Sequence, residues 1–162
     1  MSDARGLQAA VIVASNRAAA GVYDDTTGPL IAEALRGLGF AVADPVVRPD
    51  GEPVGAAIAL AVHEGARVVL TTGGTGLTPT DQTPEVTRPL LDREVPGLAE
   101  TIRAAGVAKG VPTAALSRGL AGVSGNCLVV NLPGSRGGVK DALDVLGPVL
   151  VHAVEQIVGS DH

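Results

Sequence analysis

The sequence predicts an α/β protein: a single three-layer α/β/α domain over residues 1–162, with a mostly parallel mixed sheet and a late β-hairpin. Three features predict it. Continuous apolar runs at residues 9–14 and 68–70 read as strands covered on both faces, since a half-exposed strand would alternate with polar residues. Segments with apolar residues at helical spacing separate these runs, and that alternation builds parallel sheets with helical crossovers. Late in the chain, stretches 120–124 and 127–132 flank only Gly125-Asn126, a two-residue turn that makes an antiparallel pair. A chain of 162 residues fits one domain and can bury roughly two-thirds of its unfolded surface.

The first strand, 9–14, ends at Ser15-Asn16-Arg17. Ligands of parallel sheets meet the ends of strands, so Ser15 and Arg17 are candidates for a phosphate contact; the plainer reading is a solvated loop start. A helix follows from Thr27, with Pro29 early, Leu30, Ile31, Ala34, Leu35 and Leu38 at helical spacing, and Gly39 as its stop. A second strand is expected over 40–47. The turn Arg48-Pro49-Asp50-Gly51-Glu52-Pro53 then leads into a helix on Val54, Ala57, Ile58, Ala61 and Val62, stopped by Gly65. Asp50 either caps that helix or serves as a metal-binding or acid/base carboxylate at the sheet edge.

The stretch from Leu70 to Glu85 is the one around which the chain is organised. Three glycines and four threonines fall between residues 71 and 78, directly after an apolar strand. The stretch closes on Thr83-Pro84-Glu85, where threonine can cap a helix, proline suits its first position and glutamate complements its dipole. A strand, a glycine turn and a helix in that order present outward N–H groups, which suits a phosphate. Two helical segments follow, 84–93 and 96–108, with Leu90, Leu91, Leu98, Ile102 and Ala105 facing inward. Residues 112–118 read as a strand ending in Ser117-Arg118. A second glycine-rich turn, 131–138, joins the hairpin to a final helix. There Val139, Ala142, Leu143, Leu146, Val149, Leu150, Ala153, Val154 and Ile157 form one stripe, and Pro148 bends it slightly.

Composition removes several classes of function. Aromatic residues are 1 % and the net charge is −5, so neither base-stacking platforms nor a basic surface is on offer, and no nucleic-acid or anionic-membrane partner is expected. No apolar run approaches the ~20 residues that span a bilayer. The polar lead over residues 1–6 lacks a signal-peptide core, and a cytoplasmic location is the expectation. Cys127, the single cysteine, lies in an apolar run and reads as an inert buried thiol. His63, His152 and His162 share no ligand spacing and read as solvated side chains. No Walker lysine motif is present, and Gly122-Val123-Ser124-Gly125-Asn126 lacks the last glycine of a hydrolase elbow.

What remains is two glycine-rich strand-to-helix turns, the turn carboxylates Asp50 and Asp81, and serine, threonine and arginine side chains at strand ends, among them Arg17, Arg48, Arg118 and Arg136. That set suits joining two phosphorylated molecules. Two polyanions repel, so such a site needs N–H groups and arginines for phosphate oxygens and carboxylates to hold Mg²⁺. No nucleophilic side chain is required, because one substrate's phosphate can attack the other.

In collinear order, residues 15–25, Pro49-Asp50, Gly73-Gly74-Thr75-Gly76 with Asp81 and Thr83-Pro84-Glu85, Pro96-Gly97, Leu116-Ser117-Arg118 and Asn131-Leu132-Pro133-Gly134-Ser135 resemble the Mog/MoaB family of molybdenum-cofactor biosynthesis. The resemblance covers nearly the whole chain and is closest to the molybdopterin adenylyltransferase branch. It implies Mg²⁺-dependent transfer of AMP from ATP to the terminal phosphate of molybdopterin, release of pyrophosphate, and passage of the product to a molybdate-insertion protein. It also implies a homotrimer. The alternative within the same family is a non-catalytic molybdopterin-binding carrier of the MoaB type. On the resemblance, Asp50 and Asp81 are the catalytic and metal-binding carboxylates. Gly73, Gly74, Thr75 and Gly76 form the phosphate loop, and Ser117, Pro133, Gly134 and Ser135 are further substrate-binding positions, to which Ser15 is added from its place at the end of the first strand. Two departures alter charge beside that site: Thr80 stands where many members have arginine, and Asn16 where many have aspartate.

Overall fold

The computed structural model describes residues 4–159. Residues 1–3 of the polar lead, and His162, lie outside the described residues. Among the described residues seven strands form one sheet: β1 (Gln8–Ala14), β2 (Ala41–Val42), β3 (Val46–Arg48), β4 (Val68–Thr72), β5 (Arg93–Glu94), β6 (Ala121–Ser124) and β7 (Cys127–Leu132). Their order is β2-β1-β4-β7-β6-β5, with β3 also pairing β1. Pairings among β1 to β4 and β7 are parallel, while β6 runs antiparallel to both β7 and β5. The expected hairpin is present: Ser124 pairs Cys127 across the turn, and Gly125 supplies its positive φ of 58°.

Helices cover both faces. Along the central strands, successive side chains enter opposite cores, as the period of two requires. Val68 and Leu70 of β4 join Leu128, Val130 and Leu132 of β7 in the larger core. That core is closed by α2 (Thr27–Gly37), α5 (Pro96–Ala108), α6 (Arg136–Leu146) and α7 (Leu150–Ile157). Val69, Cys127 and Val129 point the other way, against Val54 and Ile58 of α3 (Glu52–His63). The thiol of Cys127 is buried, and that burial pushes it up to about 12, which removes it from thiolate chemistry. His63 and His152 are exposed on their helices. Among the described residues no helix is long and apolar enough to cross a membrane.

Four segments differ from the sequence expectation. The strand expected over 40–47 is two short strands, β2 and β3, both beside β1, because Asp44-Pro45 interrupts the ladder where proline has no N–H to donate. The helix expected over 84–93 is a short α4 (Thr83–Thr87) and a 3-10 turn, Arg88–Leu90, since Pro89 cannot continue the hydrogen-bond pattern; Arg93 and Glu94 then pair as the edge strand β5. Residues 112–118 are not a strand. β5 already occupies the free edge of β6, and Pro112–Leu116 instead forms a 3-10 turn against α5. Finally, Pro148 breaks the last helix rather than bending it: α6 ends at Leu146 and α7 begins at Leu150. The apolar stripe survives the break, with Leu146, Leu150 and Val154 all buried.

Candidate functional site

Parallel strands β1, β4 and β7 run in register, so their carboxyl ends arrive together, with Val13 beside Thr72 and Thr72 beside Leu132. Each strand then opens into one of the turns singled out by sequence. The turns are in contact. Thr72 Oγ1 donates to the Pro133 carbonyl at 2.6 Å, and the Gly73 N–H donates to the Leu132 carbonyl at 3.3 Å. Glycine is required at 73 twice over: its φ is 89°, and a Cβ there would collide with the Ala14 carbonyl oxygen. A Cβ on Gly134 would stand 3.3 Å from the Cα of Gly73, so the two glycine turns meet backbone to backbone.

Between them lies a cleft of about 450 Å³. Gly73, Gly74, Thr75, Gly76 and Asp81 form one wall, Ser117 lies at a second, and Pro133, Gly134 and Ser135 form a third. Ser135 also caps α6, accepting the Gly138 N–H at 3.0 Å, so the start of that helix borders the cleft. Ser15 lies instead in an adjoining recess of about 180 Å³ that shares Gly73 and Gly134 with the cleft. There it caps α1 (Asn16–Ala19) and shares a 2.9 Å hydrogen bond with the Tyr23 hydroxyl.

Asp50 does not cap α3, whose N-cap is Gly51 with no side-chain bond. Its Oδ1 accepts the Gln82 N–H at 2.9 Å, and its own N–H donates to Asn16 Oδ1 at 2.9 Å. Burial, helped by the neighbouring charge of Asp81, holds the Asp50 carboxyl above the usual range. Asp81 Oδ2 accepts from the N–H of Thr78 at 3.0 Å and from its hydroxyl at 2.8 Å. Both carboxylates border the same glycine turn. A Cβ on Gly76 would stand 2.8 Å from Asp81 Oδ2, and one on Gly74 would meet Asp50 Oδ2. Among the described residues no group of three or more acidic, histidine or cysteine side chains could hold a metal ion. Two carboxylates with hard oxygen donors still fit Mg²⁺, which takes one or two of them and completes its shell with phosphate oxygens and water.

Several residues that hold this geometry were not assigned that role from sequence. Thr83 is not the cap of α4: Gln82 is the N-cap, and Thr83 Oγ1 donates back to the Gly73 carbonyl at 3.0 Å. Thr87 bonds the Thr83 carbonyl, and the buried Asn131 amide donates to Thr71 and Thr87 while accepting the Leu120 N–H at 3.0 Å. A polar residue inside the apolar strand 127–132 was the available signal, because a buried amide must be satisfied. Arg103 of α5 holds the carbonyls of Ser117 and Gly119 at 3.1 and 3.0 Å. Arg118, expected among the phosphate ligands, is occupied within the protein, donating to the carbonyls of Gly76 and Asp81 and to Glu85. Arg17 lies over the Tyr23 ring, Arg48 bonds its neighbour's carbonyl, and Arg136 is exposed at the start of α6.

Residues 10–152 match the family model described as a probable molybdopterin-binding domain. The chain is 40 % identical over 155 residues to a molybdenum cofactor biosynthesis bifunctional protein of Chlorobaculum tepidum, covering 94 % of this chain and 49 % of that one. It thus spans about half the length of that relative. It is 37 % identical over 159 residues to a molybdopterin adenylyltransferase of Haemophilus influenzae, covering 91 % of this chain and 79 % of that protein. Among solved structures, the Mog protein of molybdopterin biosynthesis from Mycobacterium ulcerans superposes with a TM-score of 0.90 at 53 % identity, covering 94 % of this chain and 99 % of the other. The molybdopterin biosynthesis enzyme MoaB from Thermus thermophilus superposes with a TM-score of 0.86 at 45 % identity, covering 95 % and 98 %.

Proposed function

The chain belongs to the Mog/MoaB family of molybdopterin-binding domains, and from that premise we propose that it is a molybdopterin adenylyltransferase. A terminal phosphate oxygen of molybdopterin attacks the α-phosphorus of ATP. The bond to the bridging oxygen breaks and pyrophosphate leaves, giving an AMP-modified pterin. The observation that carries this reading is the contact between the two glycine turns at one cleft, with Asp81 on its wall. Such turns can direct main-chain N–H groups at phosphate oxygens, and the start of α6 adds the positive end of a helix dipole. Asp50 and Asp81 would hold Mg²⁺, which when bound neutralises the reacting phosphates. Ser15, Gly73, Gly74, Thr75, Gly76, Ser117, Pro133, Gly134 and Ser135 are the proposed substrate contacts. Ser15 serves from the adjoining recess and the rest from the cleft.

The reading draws further support from the relative in Haemophilus influenzae, whose name is molybdopterin adenylyltransferase. In the same proposal the protein works as a cytoplasmic homotrimer and hands its product to a molybdate-insertion protein. The likeness to MoaB of Thermus thermophilus supports a second reading, a molybdopterin-binding carrier that consumes no ATP. Incubation with molybdopterin, ATP and Mg²⁺ separates the two. The transferase releases one pyrophosphate per AMP-modified pterin, whereas the carrier retains pterin and releases none.

A further inference from the structure

We propose that Arg118 is a positioning residue that holds the first glycine turn and Asp81 in their working arrangement, and that it does not itself bind a phosphate. Its effect on rate rests on the adenylyl-transfer reading of the cleft. All three guanidinium nitrogens are engaged by protein. Nε donates to the Gly76 carbonyl at 2.8 Å, one terminal nitrogen to the Asp81 carbonyl at 2.9 Å, and the other to Glu85 Oε2 at 2.7 Å. The Arg118 main-chain N–H adds a fourth bond, to the Thr75 carbonyl at 2.8 Å. One residue therefore grips the turn at 75, 76 and 81, and Glu85 holds the guanidinium in place.

Peptide geometry turns that grip into a statement about direction. No cis peptide occurs among the described residues, and in a trans peptide the carbonyl and the following N–H point opposite ways. Fixing the Thr75 carbonyl on the Arg118 main-chain N–H therefore directs the Gly76 N–H away from the Arg118 backbone, and fixing the Gly76 carbonyl on the side chain directs the Leu77 N–H away from the guanidinium. The Asp81–Gln82 peptide is held at both ends: Arg118 takes its carbonyl, and Asp50 Oδ1 takes its N–H at 2.9 Å. Asp81 thus hangs from a peptide plane clamped between a cation and the second carboxylate. A misplacement near 1 Å at a reacting centre costs on the order of 100-fold in rate, so a clamp of this kind acts on turnover without touching substrate.

Lysine keeps the charge but is a point donor that cannot span three acceptors in a fork, so Arg118→Lys isolates the geometry. Its kcat for pyrophosphate release is expected to fall roughly 30- to 100-fold with ATP affinity within about 2-fold of the parent. Amide hydrogen exchange over residues 75–81 should accelerate about 10-fold, as local opening becomes easier. Glu85→Gln retains both carbonyl bonds and should show the same split at about 3-fold; it decides the matter if Arg118→Lys fails to fold. Weakened ATP binding with kcat and exchange preserved would make Arg118 a phosphate ligand, and unchanged kcat, affinity and exchange would leave it no role; either overturns the proposal. If the parent protein releases no pyrophosphate, it is the transferase reading that fails, and ATP affinity with exchange over 75–81 still decides what Arg118 holds.

Discussion

Asn16 Oδ1 accepts the main-chain N–H of Asp50 at 2.9 Å, a bond between residues 34 apart that ties the end of the first strand to a proposed metal carboxylate. It gives Asn16 a structural purpose at the edge of the proposed site. A carboxylate at 16 would accept the same N–H but add charge beside a carboxyl already pushed up by burial and by Asp81. Asn16→Asp is therefore expected to fold normally and raise the Asp50 pKa further, read as a shift of the acid limb of the rate profile to higher pH. Asn16→Ala should cost about 0.5–1.5 kcal/mol in urea unfolding, the net worth of one such bond.

Asp50 sets a pH dependence of its own. Because burial, with Asp81 beside it, raises its folded pKa above the unfolded value, the folded state binds the proton more tightly. Its contribution to stability is full below the unfolded value near 4 and is lost as pH rises through the folded value. Asp50→Asn keeps an oxygen for the Gln82 N–H and removes the titration. Its stability relative to the parent's should rise across that window and match or exceed it at neutral pH, while turnover falls by about 100-fold or more for want of a charged ligand. Urea unfolding from pH 3.5 to 7 checks the first expectation and initial rates the second.

Glu85 behaves in the opposite sense. The hydrogen bond from Arg118 holds its carboxyl below the usual range, so its contribution is present above the unfolded value near 4.3 and is lost as pH falls through the folded one. Both partners are substantially exposed, so the expected stability change for Glu85→Gln at pH 7 is small, within about 1 kcal/mol.

The buried amide of Asn131 is the stability test of the layer behind the cleft. Asn131→Ala leaves the Leu120 N–H without its acceptor and removes the donors to Thr71 and Thr87. Stranding buried polar groups should cost about 2–4 kcal/mol in urea unfolding, and turnover should fall with it because Thr83 and Gly73 lose their backing.

Two glycines that look alike in sequence should behave in opposite ways. Gly73→Ala forces a Cβ onto the Ala14 carbonyl at a φ of 89°, and a loss of more than about 3 kcal/mol is expected. Gly137, in the first turn of α6, has nothing within 4 Å of a built Cβ, and Gly137→Ala should be neutral or stabilise by up to about 1 kcal/mol. Thermal melts of the two variants side by side provide the check.

The sheet, its two helical layers and the hairpin were legible because residues 9–14, 68–70 and 127–132 have no polar face to offer water. The glycine turns were legible for a related reason: runs of glycine and threonine after a buried strand have little other use. At three of the four segments where the reading failed, a proline decided. Pro45, Pro89 and Pro148 each interrupt an element that apolar spacing would have continued. Residues 112–118 were misread because strand formation depends on a free neighbouring edge, which is a fact about β5 and not about the segment itself. The resemblance singled out Asp50 and Asp81 together, and both border one turn; Arg118 could not be placed from sequence, because a guanidinium at a strand end serves a phosphate and a carbonyl equally well.

The most direct test of the transferase account is the initial rate of pyrophosphate release by Asp81→Asn, which retains an oxygen for Thr78 and loses only the charge. With molybdopterin, ATP and Mg²⁺ saturating, the account expects a fall of about 100-fold or more in a variant whose melting curve matches the parent's. Full turnover in that variant would contradict it.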